Sequence, residues 1–242
     1  MGCTPQILPT QCFSLTCLNI RSLEQTGVTY TNAFTTVPSD SFPGTLAHLT
    51  GASPKTTGVY YDDSYARDLT APGGTAASPR GTEVLFDETI DKNPDLLSEG
   101  GDYGVGSIDL AKLPLDCRSG TCKPVYPHNY SKVNTIFDVA KAAGLHTAYS
   151  DKHSGAYDLV NGPNGNAVDD YFAPEIAAKV AFENGKLVDK STAQNSSDLT
   201  FKGVTSDFKL TEAYDDLKVN AILNQIKGLN SLETTSPGTP AS

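Results

Sequence analysis

The segment from Val28 to Gly51 constrains this chain more than any other. Val28 to Thr35 is rich in Val, Thr, Tyr and Phe, which suit a pleated surface, and reads as a strand. PSDSFPGTLAHLTGASP follows at once. Pro43 suits the first turn of a helix, where its missing N–H is no loss. Leu46, Leu49 and Thr50 continue one face, and Gly51 is a stop. A short helix is expected before the strand, Leu18 to Gln25, with Ile20 and Leu23 as its apolar face and Gly27 just past its end. The same grammar recurs downstream. Asn134 can cap a helix whose inner face is Ile136, Val139, Ala140 and Ala143 and which ends at Gly144. Leu145 to Ser150 is then a strand, with Asp151, Lys152 and His153 at its C-terminal end. Thr211 to Lys227 reads as a last helix, with Leu217, Ala221, Ile222 and Ile226 inward and Gly228 as its stop. This alternation predicts an α/β fold, a mostly parallel sheet flanked by helices. In such sheets, sites gather at the C-terminal ends of the strands.

A length of 242 residues suits one α/β domain or part of a larger one. Apolar residues make up 38%, so a core is available but not generous. The 21 Gly and 15 Pro predict many loops, above all over residues 62–130, where Glu83 to Phe86 reads as a short strand. Residues 1–17 do not read as structure. Residues 18–230 form the expected domain, and the polar tail SLETTSPGTPAS, residues 231–242, is expected to be disordered.

Net charge is −10, with 28 acids against 18 bases and no basic cluster, which argues against general nucleic-acid binding. Phosphate esters stay compatible with so acidic a chain if metal ions carry the positive charge. No apolar run approaches the ~18–20 residues of a membrane span. Met1 to Thr10 holds neither a basic residue nor an apolar stretch of the kind a signal peptide carries. Other features point to secretion. Cys117 and Cys122 can close the loop LDCRSGTC as a disulfide, and Asn129-Tyr-Ser131 and Asn195-Ser-Ser197 are glycosylation acceptors. Cys3, Cys12 and Cys17 leave an odd count.

Ser41 lies between the expected strand and helix. A hydroxyl there is exposed beside the N–H groups of the first helical turn, which favour an anion. It still needs a base or a metal to act as a nucleophile. The competing reading is that Ser39, Asp40 or Ser41 simply caps the helix.

The stretch NIRSLEQTGVTYTNAFTTVPSDSFPGTLAHLTGASPKTTGVYYD resembles the type I phosphodiesterase and nucleotide pyrophosphatase branch of the alkaline-phosphatase superfamily. The strand of that branch reads Gly27 to Ala33 here, its nucleophile motif Ser41-Phe42-Pro43, and its next run Thr50-Gly51, Pro54 and Gly58. His48 stands where the branch has Leu. The later stretches GTEVLFDETID, VYPHNYSKVNTIFDVAKAAGLHTAYSDKH and YDLVNGPNGNAVDDYFAPEI fit the same resemblance.

It implies a partial alkaline-phosphatase-like fold and hydrolysis of a phosphoric ester, a diester or nucleotide pyrophosphate, through Ser41. Two divalent ions, usually zinc, would activate Ser41 and clamp the phosphoryl oxygens. The branch's first ligand is the Asp of an Asp-Gly pair on the first strand, and no Asp precedes Leu18. Its other ligands belong to a C-terminal half. The chain is therefore expected to be a fragment with impaired or lost catalysis. The remaining metal candidates are Ser41 itself, Asp151 and His153. Asp62 and Asp63 can line the substrate mouth, His48 is read as structural, and Asp169 and Asp170 are given no role. A sulfatase motif would need Arg at Thr45. The alternative reading is a secreted, non-catalytic glycoprotein module that binds a nucleotide or a partner chain.

Overall fold

The computed structural model describes residues 18–232; the expectations for residues 1–17 and for the tail beyond 232 fall outside them. The chain divides into two units, residues 1–36 and 37–242.

In the first unit, α1 (Leu18–Thr26) ends as expected, with the Gly27 amide bonded to the Leu23 carbonyl at 2.7 Å. Ile20 and Leu23 are exposed rather than packed. Val28 to Thr35 forms no strand. Residue preference alone does not make one: a strand exists through its ladder, and the described residues of this unit hold no second strand to complete it.

In the second unit, α2 (Ser41–Thr50) runs as the sequence predicts, capped by Asp40 and stopped by Gly51 in a left-handed conformation (φ 66°). It buries Phe42, Pro43 and Leu46. A single turn, α3 (Pro54–Thr57), follows. β1 (Asp63–Thr70) pairs antiparallel with β2 (Arg80–Leu85) and, through Thr70, with β3 (Leu115–Asp116), which pairs with β4 (Lys123–Pro124). A Cys117–Cys122 disulfide closes the β3–β4 hairpin. α4 (Ile136–Ala142) leads to β5 (Ala148–Ser150), which pairs parallel with β6 (Asp170–Phe172). β7 (Lys179–Glu183) lies between β8 (Lys186–Asp189) and β9 (Lys202–Gly203), both antiparallel to it, and α5 (Phe208–Ile226) completes the unit.

The expectation of a mostly parallel sheet is therefore corrected. Among the described residues there are three sheets, and the β5–β6 pair alone is parallel. Connection length is the reason: a tight hairpin can join only antiparallel strands. β7 and β8 are joined by Asn184-Gly185, both at positive φ (52° and 76°), the turn that matches the twist of a hairpin.

Two helices are rotated from their predicted phase. α4 is capped by Thr135, not Asn134, through a reciprocal pair with Asp138. Ile136 and Val139 are exposed, while Phe137 packs edge-to-face on Tyr149 at 6.2 Å. In α5 the predicted Leu217 and Ala221 do face the core, but the rest of the inward stripe is Leu210, Tyr214 and Gln225, and Ile222 and Ile226 face out. Tyr214 sets that phase: its buried hydroxyl donates to the Pro174 carbonyl at 2.7 Å. Asp170, given no role from sequence, anchors the helix end by accepting from Gln225 Nε2 at 2.9 Å and from the Ser231 amide at 2.7 Å.

One core cluster gathers Phe42, Leu46, Val84, Phe86, Tyr157 and Leu159 beneath α2, and a second lies under α5. Leu46 is wholly buried and Ile136 is 60% exposed. Leu46→Ala is expected to cost about 2–5 kcal/mol in urea unfolding, and Ile136→Ala no more than about 0.5 kcal/mol. Equal losses at the two positions would contradict the phases of α2 and α4.

Candidate functional site

The parallel pair positions the site. After β5 the chain turns through Asp151, Lys152 and His153 and enters the 3-10 stretch Ala156–Asn161. The Asp151 amide continues the ladder to the Phe172 carbonyl at 3.2 Å, and its carboxylate accepts from the Tyr149 hydroxyl at 3.3 Å. His153 adopts φ 55°, a left-handed conformation that costs a non-glycine residue free energy unless its surroundings hold it. Here they do. His153 Nδ1 lies 2.7 Å from Oε2 of the buried Glu175, and the ring stacks on Tyr157 at 6.2 Å and 15°.

Tyr157 is the hub. Its ring packs against Phe42 of α2 at 5.9 Å, and its phenol lies near the Ser41 side chain. Ser41, Asp151 and His153 are thus brought around one buried tyrosine, although 110 residues separate Ser41 from Asp151. Burial pushes the Tyr157 phenol up; the nearby Ser41 hydroxyl lowers it, and the carboxylates of Asp151, Asp62 and Asp40 raise it further. Asp62 is itself raised, first by burial and then by contact with Asp40. Asp62 is thus half-buried beside Asp40, whereas Asp63 opens β1 and is exposed.

The cap question resolves on Asp40. Its carboxylate accepts from the Ser41 amide at 2.8 Å, so the Ser41 hydroxyl is not needed as a cap. The expected row of free N–H groups is shorter than predicted. The Ser41 amide is taken by Asp40, Pro43 has none, and the Gly44 amide bonds the Asp40 carbonyl at 2.9 Å. That leaves the Phe42 amide as the remaining donor of that turn among the described residues. The surroundings of Ser41 are otherwise acidic.

The side chains near Ser41 do not fit a two-zinc centre. Zinc takes about four close N, O or S ligands, and among the described residues no group of three His, Cys, Asp or Glu ligand atoms converges there. Such convergence occurs elsewhere, at Asp91, Glu99 and Glu175, all fully buried, with ligand atoms within 4.8 Å of one another. Glu99 accepts from the Ser154 amide at 2.7 Å, from the Ser154 hydroxyl and from the Gly155 amide at 3.2 Å. Glu175 accepts from the Ala177 amide at 2.6 Å as well as facing His153. Burial, then the neighbouring carboxylates, pushes Asp91 up to about 9; burial foremost also raises Glu99.

Tyr157, Glu175, Glu99 and Asp91 were not foreseen. Each lies in an ordinary-looking segment, and no local signal marks them. His48, read as structural, is exposed on the last turn of α2. Asp169 pairs with Lys141 at 2.7 Å and holds Thr147, a structural role.

A family model described as type I phosphodiesterase / nucleotide pyrophosphatase matches residues 2–186, more than half of the chain. The chain belongs to that family. The type I phosphodiesterases and nucleotide pyrophosphatases are hydrolases of the metal-dependent kind acting on phosphate esters or nucleotides. The match takes in residues 2–17, together with Ser41, Asp151, His153, Tyr157 and the three buried acids; α5 lies beyond it. No curated protein and no solved structure matches this family member. None of its described helices is long and apolar enough to cross a membrane.

The raised carboxyl of Asp91 has a consequence for stability. In the folded protein it keeps its proton up to about pH 9, whereas the unfolded chain releases it near the ordinary 3.8. Folding is favoured at low pH and loses stability as pH rises through that window. In the presence of a chelator, the melting temperature is expected to fall from about pH 5 to about pH 9, and Asp91→Asn to flatten the slope. An unchanged slope in the variant would contradict this burial.

Proposed function

We propose that the chain acts as a phosphoric-ester hydrolase of its family, with Ser41 as the nucleophile and a phosphodiester or nucleotide pyrophosphate as substrate. The observation that carries the reading is the division of labour at the start of α2. Asp40 caps the helix, which frees the exposed Ser41 hydroxyl, and Tyr157 lies close beside it.

The chemistry is a double displacement. Ser41 Oγ forms a bond to phosphorus while the ester oxygen of the leaving group departs, and the serine proton passes to the solvent to which Ser41 is open. Water then attacks phosphorus, the Oγ–P bond breaks and the serine is restored. Tyr157, raised above its ordinary value, keeps its proton at neutral pH and does not serve as a base. The family's divalent ions supply positive charge when bound. Because the donors around Ser41 do not fit a zinc pair, no step of this reading runs through one.

One observation favours the lack of turnover in a second reading, a non-catalytic module that binds a nucleotide or a partner chain: Asp40, Asp62 and Asp151 lie near the site without converging on a cation. An extracellular location is also proposed, supported by the Cys117–Cys122 bond and by the exposure of Asn129 and Asn195.

Hydrolysis of bis(4-nitrophenyl) phosphate with added zinc tests the proposal. Ser41→Ala is expected to lower the rate at least about 100-fold. Tyr157→Phe is expected to lower it no more than about 10-fold, the most that one hydrogen bond is worth. A Ser41→Ala protein as active as the parent would refute the assignment. Calorimetric binding of a nucleotide monophosphate with no turnover would favour the second reading.

A further inference from the structure

We propose that Asp91, Glu99 and Glu175 form a buried calcium site behind Ser41. Three carboxylates enclosed together would carry three negative charges if all were ionised, which the protein must avoid with protons or offset with cations. The cation the structure places beside Asp91 is Lys112, and its Nζ binds the Asp91 main-chain carbonyl at 2.5 Å. The hydrogen bonds to Glu99 and Glu175 hold those carboxylates in place; Glu99 Oε2 is filled by the Ser154 hydroxyl and the Gly155 amide, while Glu99 Oε1 and both Glu175 oxygens each keep a further lone pair for a metal.

Asp91 supplies the second, independent observation. Its side chain is wholly buried, and neither carboxylate oxygen has a hydrogen-bond partner. It points at the two other acids, with an oxygen within 4.8 Å of theirs. Space is kept for it as well: a Cβ on Gly155 would lie 2.3 Å from Asp91 Oδ1.

The donor chemistry selects the ion. All three ligands are carboxylates with no nitrogen or sulfur among them, which suits a hard cation. Calcium binds oxygen at about 2.3–2.6 Å and tolerates irregular geometry, so oxygens on opposite sides of it stand about 4.6–5.2 Å apart. Magnesium demands a tighter octahedron and usually keeps several waters, which a site walled by fully buried side chains does not favour. A calcium ion here would fix Glu175, and through it His153 and Tyr157, so its presence would stiffen the surroundings of Ser41.

The test is calcium titration of the chelator-treated full chain by calorimetry and thermal melting at neutral pH. One Ca2+ per chain and a raised melting temperature are expected, with Mg2+ binding at least tenfold more weakly. Asp91→Asn, which removes a ligand charge, and Gly155→Ala, which keeps every charge but crowds Asp91, are each expected to weaken calcium at least tenfold. Circular dichroism checks that both stay folded. If Asp91→Asn does not fold, the parent protein and Gly155→Ala decide alone. The proposal is overturned if calcium produces neither heat nor a thermal shift in the parent, if magnesium binds as tightly, or if the folded variants bind calcium undiminished. None of these readouts uses ester hydrolysis, so they stand or fall apart from the role of Ser41.

Discussion

A carboxylate withdrawn from water must have its lone pairs filled, and much of this structure is arranged around that demand. Glu99 takes the amides of Ser154 and Gly155; Glu175 takes His153 and Ala177. Together they pin the turn that leaves β5. That turn holds His153 in its left-handed conformation and starts the 3-10 stretch carrying Tyr157. Tyr157 in turn packs on Phe42 and meets Ser41. The exposed hydroxyl is positioned, at three removes, by buried acids that never touch it. A positive-φ histidine persists because a hydrogen bond and a ring stack both hold it.

The same region explains why one short parallel pair matters more than its size suggests. β5 and β6 have only three residues each, yet their C-terminal ends deliver Asp151 and lead the chain on to Pro174 and Glu175. The antiparallel hairpins are peripheral to this arrangement. Their short loops forbid parallel pairing, and the disulfide of the β3–β4 hairpin closes one of them covalently. The exposed Asp116–Arg118 and Asp68–Arg118 pairs beside it contribute little, since solvent screens them.

The electrostatics of the Ser41 region are those of a site that wants cations and has not gathered ligands for them. Asp40, Asp62 and Asp151 act on Tyr157 from several sides, and Asp62 is raised partly because Asp40 is so close. The ligands that do converge lie deeper, in a donor set of oxygen alone. Family membership therefore establishes the class of chemistry, while the residues of this chain distribute negative charge in two places with different geometry.

The sequence by itself determined the local pieces: α1 and α2 with their glycine stops, the loop cysteines, the family and Ser41 at the start of a helix. These are legible because caps, stops and motifs act over a few residues. It also holds an Asn-Gly hairpin signal at 184–185, which marks antiparallel strands. Only the tertiary structure decided which face of α4 and α5 is buried, since Tyr214 and Phe137 override the aliphatic stripes through one hydrogen bond and one ring contact. It alone decided that Val28 to Thr35 is not a strand, because pairing requires a neighbour that propensity does not supply. It alone assembled Asp91, Glu99 and Glu175, whose sequence separations carry no pattern. Their proximity comes from chain crossings, and the energetic demand of a buried charge appears only once the water is gone.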